Sequence, residues 1–183
     1  MDKKMKKKKV SVPVAFAACW ILLLLILNAL KVPHHFRIGI YLNLLFILGV
    51  IGVSMFLQIR EEKKLHSFAV NFKNSLKKSG VYVIVVTSFL FLYLKFINPL
   101  FLENLKNSRI QTELAKDWEQ VKASSPVFEA MTREEFIEKA TSSNEILSSV
   151  SLNLSFYFLG LFFISLFYSI LVPLFYKKVI LRM

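Results

Sequence analysis

Four serines, Ser151, Ser155, Ser165 and Ser169, recur along one apolar stretch and are the first residues whose spacing invites a chemical reading. At 100° per residue they fall within about 80° of one another on a helix. A serine nucleophile needs a base within hydrogen-bond reach. No histidine lies in any apolar stretch, so the row reads as a small-residue face on which another helix or a partner packs. The histidines are His34, His35 and His66. A zinc site draws three or four ligands together, whereas a complete apolar block separates His66 from the other two. His34 and His35 with a carboxylate from the segment 103–145 are the one conceivable metal set, and the expectation is no metal, no cofactor and no catalytic residue. Cys19, the single cysteine, excludes an intramolecular disulfide and a cysteine metal cluster. Apart from Lys31 at the very end of the first block, Lys95 is the only charge inside an apolar stretch. It is either a contact for an ion or solute or a side chain that snorkels to the headgroups. Its place about 22 Å along a helix counted from Gly80 favours the second. Asn28, Asn43 and Asn153 are the remaining candidates for intramembrane polar contacts. All 12 Asp and Glu residues lie outside the apolar stretches. That weighs against proton- or sodium-coupled transport, which usually keeps a carboxylate at membrane depth. No phosphate-binding glycine loop and no metalloprotease helix motif is present.

The elements that must position these residues are membrane spans. The chain is 55% hydrophobic, above the 45–50% or so of soluble domains, and the excess is gathered into four blocks. A hydrocarbon core of about 30 Å takes roughly 20 helical residues. The blocks 10–31, 38–59, 81–102 and 150–175 each meet that length. The first resembles a signal peptide in its basic head, but it is long enough to span and no small-residue cleavage site follows, so it reads as an uncleaved helix. Trp20, near the middle of that block, is expected at a helix contact. Tyr41, Tyr82 and Tyr176 are expected in the interfacial aromatic belt.

Charge sets the expected orientation. The tail 1–9 carries six lysines, and the loop 60–80 carries six Lys or Arg against two Glu. The C-terminal tail 176–183 carries three basic residues. The segment 103–145 carries six basic and nine acidic residues, a net of −3. Positive segments stay inside, so both termini are expected in the cytoplasm of a multi-pass protein. The net charge of +12 would suggest nucleic acid in a soluble chain. Here the basic residues flank spans, so the expected partners are the bilayer and its anionic lipids at the basic inner segments, with no nucleic acid. Leu65, Phe68, Phe72 and Leu76, interleaved with lysines, predict a helix on the inner leaflet that leads into the third span.

The segment 103–147 is not a featureless linker. Ser108 with Gln111 and Thr132 with Glu135 have the spacing of capping boxes. Ile110, Leu114, Trp118 and Val121 form an apolar stripe behind the first, and Phe136 with Ala140 a shorter one behind the second. Two amphipathic helices are expected, joined at Ser124-Ser125-Pro126. Their stripes must bury against each other, the membrane surface or a partner. The fold class is therefore all-α and integral to the membrane, with four transmembrane helices and a two-helix extracytoplasmic loop.

The order of features resembles the four-helix bacterial membrane proteins grouped as domain of unknown function family 4199. The residues that carry the likeness are Phe72 and Lys73 in the lead-in, then Pro99, Phe101 and Glu103 closing the third span. Thr132-Arg133-Glu134-Glu135 and the final Lys177-Lys178 complete it. The likeness covers roughly Phe68 to Lys178, the first two helices matching in hydropathy. It implies a bacterial inner membrane and a four-helix fold, and no activity. The role expected from the residues is a non-enzymatic accessory or assembly subunit that uses a helix face to bind a membrane partner or another copy of itself. The alternative is a facilitator or transporter of a small or lipidic solute.

Overall fold

The computed structural model describes residues 11–63 and 66–180. The basic tail 1–9, Val10, Lys64, Leu65 and Arg182 lie outside the described residues. Every regular element described is helical. Four helical stretches are long and apolar enough to cross a membrane: Val12–Ala29, His35–Glu62, Phe68–Ile97 and Val150–Val179. The chain divides into two compact units, Met1–Phe89 with Phe158–Met183, and Leu90–Tyr157.

In the first unit, α1 (Val12–Ala29) starts behind Ser11 with Pro13 in its first turn, where a missing amide costs nothing. A tight connection with Lys31 (φ 52°) and His34 (φ 57°) in the left-handed region leads into α2 (His35–Glu62). The two helices pack closely because Gly49 faces Phe16. A Cβ at Gly49 would sit 2.5 Å from Phe16 Cε1, so only glycine admits the ring. Phe16 meets Phe46 edge-on with centroids 5.9 Å apart. Helix α3 (Phe68–Leu92) runs unbroken through the expected inner-leaflet helix into the third span. This explains why Tyr82 is not in the aromatic belt. It lies about 21 Å from the start of α3, is fully buried, and its hydroxyl donates to Asn43 Oδ1. The last helix, α8 (Val150–Ile180), is tied to α2 by Tyr176, whose hydroxyl donates to Gly52 O at 3.2 Å.

In the second unit, α3 continues as a π-helical turn, Tyr93–Ile97. The amide of Asn98 closes it on Tyr93 O at 2.8 Å. Pro99 then starts α4 (Leu100–Leu114). Ser108 therefore lies inside a helix and caps nothing, because Pro99 has already set the helix start. Between α4 and α7 (Arg133–Leu147) come two short helices, α5 (Trp118–Ser124) and α6 (Pro126–Glu129). The box at Thr132 forms in full: Glu135 N donates to Thr132 Oγ1 (3.2 Å) and Thr132 N donates to Glu135 Oε2 (2.9 Å). The apolar stripes meet in part: Ile110, Trp118, Val121 and Phe136 are half-buried and Leu114 is 42% exposed. The Trp118 and Phe136 rings lie 5.4 Å apart, and those of Phe128 and Phe136 5.7 Å apart.

Candidate functional site

The chemistry-bearing residues of the first unit gather at one end of the bundle. The start of α1, the last two turns of α2 and the first half of α3 enclose a cleft of about 840 Å³. That is within the range of small-molecule sites, roughly 300–1,000 Å³. Its apolar wall is Val12, Pro13, Leu57 and Val81, and its polar wall includes Ser54, Gln58 and Asn74. Asn74 Nδ2 donates to Gln58 Oε1 at 3.5 Å and Lys78 Nζ to Ser54 O at 3.5 Å, so α2 and α3 are stapled along the cleft by long, weak bonds. Ser54 is 3% exposed, and its hydroxyl has no hydrogen-bond partner. A buried hydroxyl normally finds one, so this wall holds an unused polar group.

The rim of the cleft is charged with both signs. Lys77 and Lys78 stand on α3, and Glu61 and Glu62 on the last turn of α2. Glu62 also contacts His66 one turn on. Among the described residues, neither Lys77 nor Lys78 reaches a carboxylate at ion-pair distance. The start of α1 adds the positive end of an 18-residue helix, and Ser11 makes no side-chain cap to it. Deeper in the bundle a second polar group is fully satisfied. Trp20 Nε1 donates to Gly39 O at 2.9 Å, Asn43 Nδ2 donates to the same oxygen at 3.2 Å, and Tyr82 completes the set through Asn43. This cluster pins three helices in register.

Residues 14–178 match the family described as protein of unknown function (DUF4199). The chain belongs to that family. The match takes in the first two helices as well as the stretch from Phe68 onward. It includes every residue of the cleft wall except Ser11, Val12 and Pro13. No curated protein and no solved structure matches the chain.

In this DUF4199 chain the four serines of α8 differ in burial. Ser165 and Ser169 are fully buried with hydroxyls lacking partners, whereas Ser151 and Ser155 are exposed. Asn43 sits in the buried cluster. Asn28 is half-buried near the end of α1. Asn153 ties the start of α8 to the end of α7, its Nδ2 donating to Leu147 O (2.7 Å) and Ser149 O (3.0 Å). Lys95 is exposed on the π-helical turn, with Nζ 5.5 Å from the ring centroids of Phe91 and Phe96. His35 Nδ1 lies 3.1 Å from Val32 O within the turn. Among the described residues no three His, Cys, Asp or Glu side chains converge as metal ligands would. The cleft residues Ser54, Gln58 and Asn74 carried no motif. The one sign in the sequence was the polar pair Ser54 and Gln58 near the end of a mostly apolar span.

Proposed function

We propose that this polytopic membrane protein is a non-enzymatic binder and facilitator of an amphipathic solute, which it holds in the cleft between α1, α2 and α3. The observation that carries this reading is the unpartnered hydroxyl of Ser54, 3% exposed, in the wall of a cleft of about 840 Å³. One wall suits an alkyl chain and the rim suits a charged head, the division of polarity that an amphiphile has. The distribution of Lys and Arg favours cytoplasmic placement of both termini, and the likeness to the family implies a bacterial inner membrane. That orientation turns the cleft to the inner leaflet, where such a solute is at hand.

The second reading, an accessory subunit of a membrane complex, is favoured by one feature of α8. Ser151 and Ser155 are exposed beside Phe156 (63% exposed), so small and large residues alternate on a helix surface as they do where helices dock. Purification from native membranes in mild detergent, with mass spectrometry of everything retained, separates the two. A stoichiometric amphiphile that is lost when Leu57→Trp fills the cleft supports binding. A stoichiometric protein partner with an empty cleft overturns binding in favour of the accessory role.

A further inference from the structure

Lys78 lines the cleft with donors to spare. It is half-buried, and among the described residues its ammonium makes one hydrogen bond, 3.5 Å to Ser54 O. That length is beyond the usual range. An ammonium has three donors, so two remain. Glu61 and Glu62 attract Lys78 electrostatically, but among the described residues neither lies within ion-pair distance of it, and Glu62 closes on His66. Counted along α2 at 1.5 Å per residue, Glu61 lies about 10 Å from Ser54. A second donor belongs to the very residue that Lys78 touches. Ser54 is 3% exposed, and its hydroxyl has no partner. At equal dielectric, an anion about 3 Å from Lys78 is attracted about three times as strongly as one carboxylate about 10 Å away repels it. The two glutamates therefore weaken the pull on an anion at Ser54 without reversing it. Two neighbouring donors, one of them charged, suit two oxygens that share one negative charge.

We infer that the cleft holds a single-tailed amphiphile with a carboxylate head, of the fatty-acid class, its two oxygens at Lys78 Nζ and Ser54 Oγ and its tail along Val12, Pro13, Leu57 and Val81. The inference rests on the amphiphile-binding reading and names its head. A carboxylate is the end of its molecule, so it can reach a residue as covered as Ser54. A phosphodiester is flanked by an ester on each side and meets the wall only broadside. A neutral head, alcohol or ester, gives Lys78 an uncharged partner, and hydrogen bonds between a charged donor and a charged acceptor are the stronger ones. Gln58 and Asn74, bonded to each other between α2 and α3, stand beside the head and leave it the two donors at Ser54.

The test uses the full chain in phosphatidylcholine nanodiscs and three ligands of one tail length: palmitate, hexadecanol and methyl palmitate. The pH is mildly alkaline, so that the carboxyl is ionised, and retained ligand is counted by native mass spectrometry. Palmitate is expected to be retained about tenfold above the two neutral ligands, the factor that a hydrogen bond to a charged group supplies. Lys78→Met should lower palmitate to the level of hexadecanol and leave hexadecanol where it was. Ser54→Ala should lower palmitate about threefold, as for one neutral hydrogen bond. Unchanged unfolding midpoints show that the variants remain folded, and the comparison of the three ligands on the unaltered protein decides the question without them. Equal retention of the three overturns the carboxylate head and leaves amphiphile binding intact. A palmitate preference that survives Lys78→Met in a folded protein overturns it as well, because the head then lies elsewhere. Phosphatidylglycerol added to the bilayer and retained in preference to palmitate overturns it in favour of a phosphodiester. If no ligand is retained above the level seen with Leu57→Trp, which fills the cleft, both readings fall.

Discussion

Polar groups in the two units are satisfied over different distances along the chain. In the bundle the decisive bonds join remote residues: Trp20 to Gly39, Tyr82 to Asn43 and Tyr176 to Gly52. In the unit Leu90–Tyr157 they are local: Glu119 N to Asp117, Val127 N to Ser125, and the reciprocal pair of Thr132 and Glu135. A local bond fixes one helix end and leaves the rest to other forces. A remote bond fixes the register of two helices, and its loss is felt by every contact along them. Substitutions of equal chemical size are therefore expected to cost more in the bundle.

The two tryptophans let this difference be measured, since Trp20 lies in one unit and Trp118 in the other. With Trp118→Phe, fluorescence reports the bundle alone, and with Trp20→Phe it reports the polar unit. The largest effect is expected at Gly49. Gly49→Val pushes branched carbon into Phe16, whose ring already lies 2.5 Å from a Cβ position. Overpacking of this kind costs about 2–3 kcal/mol. The Phe16→Leu partner change should return part of it, because the clash is with the ring. Reversible unfolding in micelles, read by Trp20, measures both. A Gly49→Val protein as stable as wild type would show that α1 and α2 do not pack as described.

Asn43→Leu should rank next. It removes the acceptor of the Tyr82 hydroxyl and a donor to Gly39 O in a fully buried place. A lost interhelical bond in a membrane protein costs about 0.6–1.7 kcal/mol, and an orphaned buried hydroxyl adds to it. Tyr82→Phe in the same chain should recover stability relative to Asn43→Leu alone, since it removes the orphan. Additive losses in the double variant would mean that the two side chains do not act as a pair.

The same contrast explains what could be read before the structure was known. The pair Thr132 with Glu135 announces a helix start through chemistry contained in four neighbouring residues. The spans announce themselves by length and hydropathy. The start of α3 at Phe68 is half-legible: Leu65, Phe68, Phe72 and Leu76 show a helix, but nothing in their spacing shows that it continues into the span without a break. Gly49 and Tyr82 were opaque because their partners, Phe16 and Asn43, lie far away in sequence. The cleft was opaque for the same reason. Ser11, Ser54 and Lys78 come from three helices, and no short motif joins them. Along the serine row of α8 burial differs, Ser165 and Ser169 being buried and Ser151 and Ser155 exposed, since equal angular position on a helix does not give equal surroundings along its length.

Within the polar unit, Thr132→Ala should cost about 1 kcal/mol, the usual value of an N-cap. Trp118 reports it directly, because its ring packs on Phe136 of the helix that Thr132 caps. Glu135→Gln should cost less, as glutamine can still accept from Thr132 N. A loss at Thr132 as large as that at Asn43 would erase the distinction between local and remote bonding on which the ranking rests.

The smallest effect is expected at Lys95, although, Lys31 at the end of its block apart, it is the only charge within an apolar stretch. Its side chain is exposed, and the Phe91 and Phe96 rings lie on its flanks. The π-helical turn adds a residue to the coil, and within this turn Tyr93 and Leu94 are buried while Lys95 is turned outward. In a bilayer a lysine so placed would be free to extend its ammonium to the headgroups, the snorkelling arrangement expected of it. Lys95→Met retains the methylenes and the contact with both rings and removes only the ammonium. Stability should change by no more than about 0.5 kcal/mol, as for surface substitutions in general, and the lipid complement of the cleft should be unchanged. A Lys95→Met protein that loses its bound amphiphile would move the solute path from the α1–α2–α3 cleft to the π-helical turn. It would also make this lysine the intramembrane contact that its rarity in the sequence first suggests.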